Sequence, residues 1–213
     1  RVAVGRRRVR DNDRFYTASF QGQIKATDSK EYRRVGTDAT VGLKLKPDDV
    51  LLAAFASANS ASICMASSMG KALVFDAGDI RSQGRRATGV RGIGLDAGAR
   101  TVGSFVADDV SFCILMTEQG LMKRMRMDHF RPQGRAGGGL QTCRLSGDDL
   151  VAFFFGAEPA DDVLLITNRG RYARFPAYDV PLQARAAKGE PMVDLPEGEH
   201  VVFATAVPAG AFA

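Results

Sequence analysis

The stretch Phe112-Cys-Ile-Leu-Met-Thr-Glu-Gln-Gly-Leu-Met-Lys-Arg-Met125 reads as two short apolar runs hinged on a Thr-x-x-Gly turn. Two such runs around a glycine-containing turn make a β-hairpin, with glycine supplying the positive φ and the hydroxyl able to bond nearby backbone N–H groups. The same turn is written four times. Ser19-Phe-Gln-Gly22, Ser67-Ser-Met-Gly70, Thr117-Glu-Gln-Gly120 and Thr167-Asn-Arg-Gly170 place their glycines 48, 50 and 50 residues apart. A second ruler, Gln83-Gly-Arg85, Gln133-Gly-Arg135 and Gln183-Ala-Arg185, advances in steps of 50, and so does a third, Gly89, Gly139 and Gly189. Three anchors in one register define four units of about fifty residues.

Outward from the hairpin, each unit continues into a loop rich in Gly, Ala and Arg. A further strand pair follows, ending in apolar runs at Val50–Phe55, Thr101–Phe105, Leu150–Phe155 and Val201–Phe203. Four strands per fifty residues is the arithmetic of a propeller blade. The expected fold is therefore all-β and β-propeller-like, with about four blades of roughly four strands each. They form one domain over residues 14–213, with blades near 14–60, 61–109, 110–160 and 161–207. A β-sandwich with coincidental spacing is the competing architecture. No amphipathic helix of convincing length is present, which argues against a βαβ array. Residues 1–13, carrying Arg1, Arg6, Arg7, Arg8 and Arg10, read as a basic leader or linker; a closing strand for a preceding blade also fits. The chain begins at Arg1 without a signal-peptide pattern, and it is read as a piece of a longer protein whose end is cut at Pro208–Ala213.

Composition narrows the class. The chain has 213 residues, 45% hydrophobic and 25% charged, which is enough to bury a core and too apolar for wholesale disorder. No apolar run approaches the roughly 20 residues of a membrane helix. A net charge of +5 raises the expectation of a polyanionic partner. Cys64, Cys113 and Cys143 sit within apolar runs, as reduced core thiols of a cytosolic protein do.

The fourth unit, Ile166-Thr-Asn-Arg-Gly-Arg-Tyr-Ala-Arg-Phe175 followed by Val180-Pro-Leu-Gln-Ala-Arg-Ala-Ala-Lys-Gly189, resembles a blade of the C-terminal domain of the A-type subunit of bacterial type IIA topoisomerases. That group comprises the A subunits of DNA gyrase and of topoisomerase IV. The third unit, Gly120-Leu-Met-Lys-Arg124 through His129-Phe-Arg-Pro-Gln-Gly-Arg-Ala-Gly-Gly-Gly139, is similar to the family's basic box Gln-Arg-Arg-Gly-Gly-Lys-Gly. The box departs from the family pattern in every unit. The third reads Gln133 to Gly139 with neither the second basic residue nor the lysine, the second reads Gln-Gly-Arg-Arg-Ala-Thr-Gly, the fourth Gln-Ala-Arg-Ala-Ala-Lys-Gly, and the first offers Tyr32-Arg-Arg-Val35. Boxes degenerate in this way resemble the topoisomerase IV branch or a divergent gyrase.

The resemblance implies a β-pinwheel in which neighbouring blades exchange strands and duplex DNA bends around a basic rim. Family members have five or six blades, against four in this chain. It also implies partners: double-stranded DNA, the ATPase B subunit of an A2B2 enzyme, and the remainder of the A subunit itself. ATP and Mg²⁺ would be used by that parent enzyme in the bacterial cytoplasm, at the nucleoid. The fragment itself would hold no cofactor, meet no membrane and take no small-molecule substrate.

The residues make their own case for DNA. Lys25, Lys71, Lys123, Arg124, Arg126, Arg171 and Arg174 follow the hairpin turns. Arg33, Arg34, Arg81, Arg85, Arg86, Arg91, Arg131, Arg135, Arg185 and Lys188 lie in or near the repeated loops, beside Gln83 and Gln133. If the units radiate from one axis, equivalent positions fall on one circumference and make a positive band for backbone phosphates, without base reading. Catalytic signatures are missing from the sequence. There is no phosphate-cradling Walker loop or nucleophile elbow, His129 and His200 read as solvated surface residues with no zinc-ligand spacing, and the paired aspartates before apolar strands read as turn residues. Two rival readings remain. One is a propeller serving as a protein–protein docking platform without DNA wrapping, and the other is a propeller enzyme with a site in its central channel.

Overall fold

Ser62–Ser67 and Phe112–Thr117 do not alternate polar with apolar residues, because both faces of each are covered. A strand buried on both faces belongs to a sheet packed between two others. The computed structural model describes residues 3–4, 10, 12–33 and 40–211. It contains β1 (Ala3–Val4), β2 (Arg14–Ser19), β3 (Gln23–Asp28), β4 (Leu51–Ser57), β5 (Ser62–Ser67), β6 (Lys71–Asp76), β7 (Val90–Arg91) and β8 (Thr101–Val106). The second half repeats this as β9 (Phe112–Thr117), β10 (Leu121–Arg126), β11 (Leu140–Gln141), β12 (Val151–Ala157), β13 (Asp162–Thr167), β14 (Tyr172–Pro176), β15 (Glu190–Pro191) and β16 (Val201–Val207). The expected all-β propeller is what the strands form, in four sheets, and the sandwich alternative falls. Among the described residues the only helical segments are single 3-10 turns, and no helix is long and apolar enough to cross a membrane.

The four sheets run β1-β4-β2-β3-β7, β8-β5-β6-β11, β12-β9-β10-β15 and β16-β13-β14. The outermost strand of each of the first three sheets is thus supplied by the unit that follows. The third ruler explains why those crossings need glycine. Gly89, Gly139 and Gly189 sit at φ +92°, +78° and +93°, and a Cβ on Gly89 or Gly139 would lie 2.5 Å or 2.6 Å from the carbonyl oxygen of Ile24 or Ala72. Only a residue without a side chain lets the loop pass that close before pairing with the neighbouring sheet.

The hairpin turns are identical in all four units. The N–H of Gly22, Gly70, Gly120 and Gly170 donates to the carbonyl of the hydroxyl residue three positions earlier, at 3.0–3.1 Å. Ser19 and Thr117 also accept the N–H of Gln23 and Leu121 on their hydroxyls, each at 3.3 Å. Opposite each turn the ladder shifts register at the same place, so that Leu52, Val102, Ala152 and Val202 are the extra residues of four equivalent bulges. The core consists of three layers between successive sheets. Tyr16, Ile24, Met65 and Phe75 fill the first; Cys64, Leu115, Cys113 and Phe154 the second; Ile114, Met122 and Val163 the third. All three cysteines are free and buried.

β4, β8, β12 and β16 face one another in sequence around the inside. They enclose a cavity of about 650 Å³ whose lining is mostly aromatic and aliphatic, with Arg100, Ser104 and Thr205 its polar side chains. Ala3–Val4 joins the first sheet as a parallel strand against Ala53–Ala54. Arg1, Arg6, Arg7, Arg8 and Arg34 lie outside the described residues.

Candidate nucleic-acid interface

With the four inner strands on the axis, the box loops fall at the opposite edge of the sheets, one at each junction between blades. Their seating repeats in register. The N–H groups of Gln83, Gln133 and Gln183 donate to the carbonyls of Ala26, Val74 and Arg124 on the preceding blade, at 2.8, 2.7 and 3.1 Å. A second set of bonds braces each loop from the other side, from the N–H of Lys44, Gly94 and Arg144 to the carbonyls of Ala87, Gly137 and Ala187, at 3.2, 2.8 and 3.5 Å. In the fourth unit the Gln183 side chain closes the box on itself by accepting the N–H of Gly189 at 3.1 Å. In that loop the first and last positions of the motif are therefore a structural clasp.

The cations do not all reach the rim. Lys25 and Lys123 are fully buried and Arg124 is 8% exposed, so these three cannot lie against a duplex as the sequence reading expects. Their direction follows from strand alternation and from what waits inside. The Lys123 ammonium donates to the carbonyls of Ala184, Arg185 and Ala187 at 3.0, 2.6 and 2.8 Å, which uses all three of its N–H groups. Lys25 does the same for Gly42 and, at 2.8 Å, for Arg85. Arg124 is held between the rings of Phe112 and Tyr178, 4.9 and 4.7 Å from their centroids, and its Nε donates to the Val180 carbonyl at 2.8 Å. It clamps the fourth unit onto the third blade.

Other cations are exposed but neutralised. Lys71 pairs with Asp96 at 2.8 Å, Arg126 with Asp128, Arg171 with Glu199 at 2.7 Å and Arg174 with Asp162 at 2.6 Å. Hydrogen bonds from Arg171 and Arg126 hold the carboxyls of Glu199 and Asp128 below the usual carboxylate range. Glu199 belongs to a buried acidic set at the hairpin turns with Asp49 and Asp149. Asp49 accepts the Ser19 hydroxyl at 2.6 Å and the Gln21 N–H at 2.9 Å, and Asp149 accepts the Gln119 N–H at 3.2 Å. These acids staple the turns, for Asp49 and Asp149 a heavier duty than the plain turn position expected of the paired aspartates.

The remaining candidates divide by junction. Arg81, Arg86 and Arg91 at the first, Arg131 at the second, and Lys188 at the third are exposed, with no acidic partner among the described residues. Arg85 and Arg185 are half-buried in their loops; Arg85 reaches the Thr40 hydroxyl at 3.2 Å. Arg135 is turned back, its Nε donating to the Asp79 carbonyl at 3.2 Å and its Nη1 to the Arg91 carbonyl at 2.9 Å. Arg33 is exposed beside the first unit's 3-10 turn. Gln83 and Gln133 are half-buried. Lys44 and Arg144, absent from the sequence-derived set, are exposed next to the boxes they brace. Their signal in the sequence is the 100-residue step between them, on the same fifty-residue ruler.

Burial lowers the Lys123 pKa to about 8, because the ammonium loses water and gains only carbonyl dipoles and the neighbouring thiols. Between about pH 8 and the ordinary lysine value, the unfolded chain binds a proton that the folded chain does not, so this residue makes stability rise with pH in that window. Burial pushes the thiols of Cys64, Cys113 and Cys143 up, which acts in the opposite sense from about pH 9. The lysine contribution is isolated by comparison with Lys123→Met. From pH 7.5 to 9 the wild-type chain is expected to gain about 1 kcal/mol relative to the variant in urea unfolding. Parallel stability curves would show that Lys123 titrates normally.

The comparisons with known proteins agree with this geometry. A family model described as the DNA gyrase C-terminal domain, beta-propeller, matches residues 61–108, 111–155 and 161–208. The chain is 27% identical over 194 residues to the DNA gyrase A subunit of Staphylococcus epidermidis, covering 90% of this chain and 22% of that protein. It is 30% identical over 197 residues to the DNA gyrase A subunit of Haloquadratum walsbyi, covering 90% and 23%. The chain thus spans under a quarter of the length of these relatives. Among solved structures, the C-terminal domain of DNA topoisomerase IV superposes with a TM-score of 0.87 at 24% identity, covering 93% of this chain and 62% of that one. The DNA gyrase A C-terminal domain gives 0.84 at 21%, covering 93% and 67%. With three of its four units matched by the family model, the chain belongs to the DNA gyrase C-terminal domain family of β-propellers.

Proposed function

We propose that this chain is the DNA-binding and DNA-bending module of a type IIA topoisomerase A subunit, holding duplex backbone on its outer rim. There it presents the segment to be passed and sets supercoiling behaviour. The observation that supports this best is the seating of three box loops at successive blade junctions, with exposed cations that lack acidic partners among the described residues. Contacts of that kind meet phosphate and release counterions, so several must act together to offset the roughly 1–6 kcal/mol needed to bend 20–30 base pairs. In this reading the rest of the A subunit cleaves and rejoins DNA with Mg²⁺, the B subunit hydrolyses ATP, and the A2B2 enzyme works on the bacterial nucleoid in the cytoplasm. This domain does no covalent chemistry of its own.

The test is duplex binding against salt, followed by ligation of a nicked circle with the chain bound at low salt. A log–log slope near −0.9 per phosphate contact, about −6.3 for Arg81, Arg86, Arg91, Arg131 and Lys188 together with the half-buried Arg85 and Arg185, and a shifted linking number are expected. An unchanged linking number would reduce the role to binding without bending. Affinity indifferent to salt would favour the docking-platform reading, which draws on the exposed Tyr172, Tyr178 and Leu182 of the fourth unit.

A further inference from the structure

The box loops carry an internal asymmetry that the rim reading does not use. The loops at the first and third junctions each lie over a buried lysine of the preceding blade, Lys25 and Lys123. The loop at the second junction lies over Leu73 at the equivalent position, three residues after the hairpin glycine. There the organising cation is the loop's own Arg135, whose guanidinium is spent on two backbone carbonyls.

The lysine cage dictates which way the loop faces. In a trans peptide the C=O and the following N–H point in opposite directions. Carbonyls 184, 185 and 187 all converge on the Lys123 ammonium, so the N–H groups of Arg185, Ala186 and Lys188 are turned outward. No acceptor among the described residues takes those three N–H groups. Outward N–H groups flanked by Arg185 and Lys188 are donors suited to a phosphate oxygen. At the first junction the Arg85 carbonyl points at Lys25, which turns the Arg86 N–H outward in the same manner. Among the described residues the Lys123 ammonium has no carboxylate partner, so its charge adds to the positive field behind the loop.

We propose that Lys25 and Lys123 are positioning residues that hold the box loops of the first and third junctions in a phosphate-receiving conformation, so that the duplex is gripped at alternate blade junctions and only braced at the middle one. This rests on the rim reading above.

The experiment compares the whole chain with Lys123→Met, with Arg185→Ala/Lys188→Ala, and with the three changes combined. A duplex of random sequence is bound over 50–200 mM salt. Lys123→Met is expected to flatten the salt slope by about two contacts, as the Arg185/Lys188 pair does, although Lys123 itself touches no solvent. The combined variant should lose nothing beyond the pair. A DNA-free measurement accompanies this. Trypsin should cut after Arg185 and Lys188 about tenfold faster in Lys123→Met, with cleavage in the first blade unchanged. Should Lys123→Met fail to fold, Lys123→Leu, copying the second blade's Leu73, and Lys25→Leu carry the same readouts.

Unchanged slope or unchanged cleavage, in a chain whose wild-type form binds duplex, overturns the role of the lysines alone. Additive loss in the combined variant does so too. Absence of salt-dependent binding by the wild-type chain overturns the rim reading itself, and the faster cleavage then reports loop positioning without a phosphate.

Discussion

Replacing Gly103 by alanine is expected to lower the melting temperature by about 6–12 °C, through roughly 3 kcal/mol of lost stability. Gly103 lies in β8, on the inner wall where successive blades meet, and a Cβ there would stand 1.9 Å from the Phe154 carbonyl oxygen and 2.9 Å from the Phe154 Cβ. Its φ is not in the left-handed region, so the penalty is one of space alone. The obstructing atom is backbone, which cannot rotate aside. β8 and β12 must separate, which opens the second core layer where the Phe105 and Phe154 rings stack 6.1 Å apart. Gly84→Ala is the control, because a Cβ at Gly84 meets nothing within 4 Å and its φ is ordinary. Differential scanning calorimetry on both variants checks the claim. A Gly103→Ala chain melting within a degree or two of wild type would mean that the seam between blades yields far more easily than close packing allows.

The largest functional effect is expected from removing four rim cations at once. Arg85→Ala, Arg86→Ala, Arg185→Ala and Lys188→Ala together should weaken duplex binding on the order of a thousandfold at 0.1 M salt and reduce the log–log slope by about 3.6, since each contact carries about 0.9. The comparison set is Arg126, Arg171 and Arg174, changed to alanine in the same way. Those three are ion-paired to Asp128, Glu199 and Asp162, so a phosphate could claim them only by displacing a carboxylate. Their removal should change affinity less than tenfold per residue and leave most of the slope in place. Equal losses from the two sets would show that binding follows net charge and owes nothing to the junction loops.

Much of this architecture was legible in the chain because a repeat converts local signals into global ones. A single Thr-x-x-Gly turn between apolar runs predicts one hairpin; four in register at fifty-residue steps predict blades. The glycines at 89, 139 and 189 were visible as a ruler, but their reason was not. Periodicity marks the position, whereas the approach of the Ile24 and Ala72 carbonyls, which forbids a Cβ, exists only after the loop has crossed to another blade. The bottom-up pattern likewise read the short strand after each box as a partner of the long strand that follows it. The ladder instead joins it to the previous sheet, and it was the family resemblance that implied the exchange.

By itself the sequence determined the number of units, their all-β character, the hairpin turns and the loops rich in arginine, since each depends on residues close together in the chain. Only the tertiary structure decided which cations are available to a partner. Lys123, Arg124 and Arg126 are nearly adjacent in one strand and chemically alike. One is caged by three carbonyls, one is stacked between two rings, and one is exposed beside an aspartate. Alternation tells that successive side chains leave a strand on opposite faces. For Lys123, and for the Tyr178 and Val180 side of Arg124, what waits there is set by the following unit, more than fifty residues away in the sequence, and no local pattern encodes it.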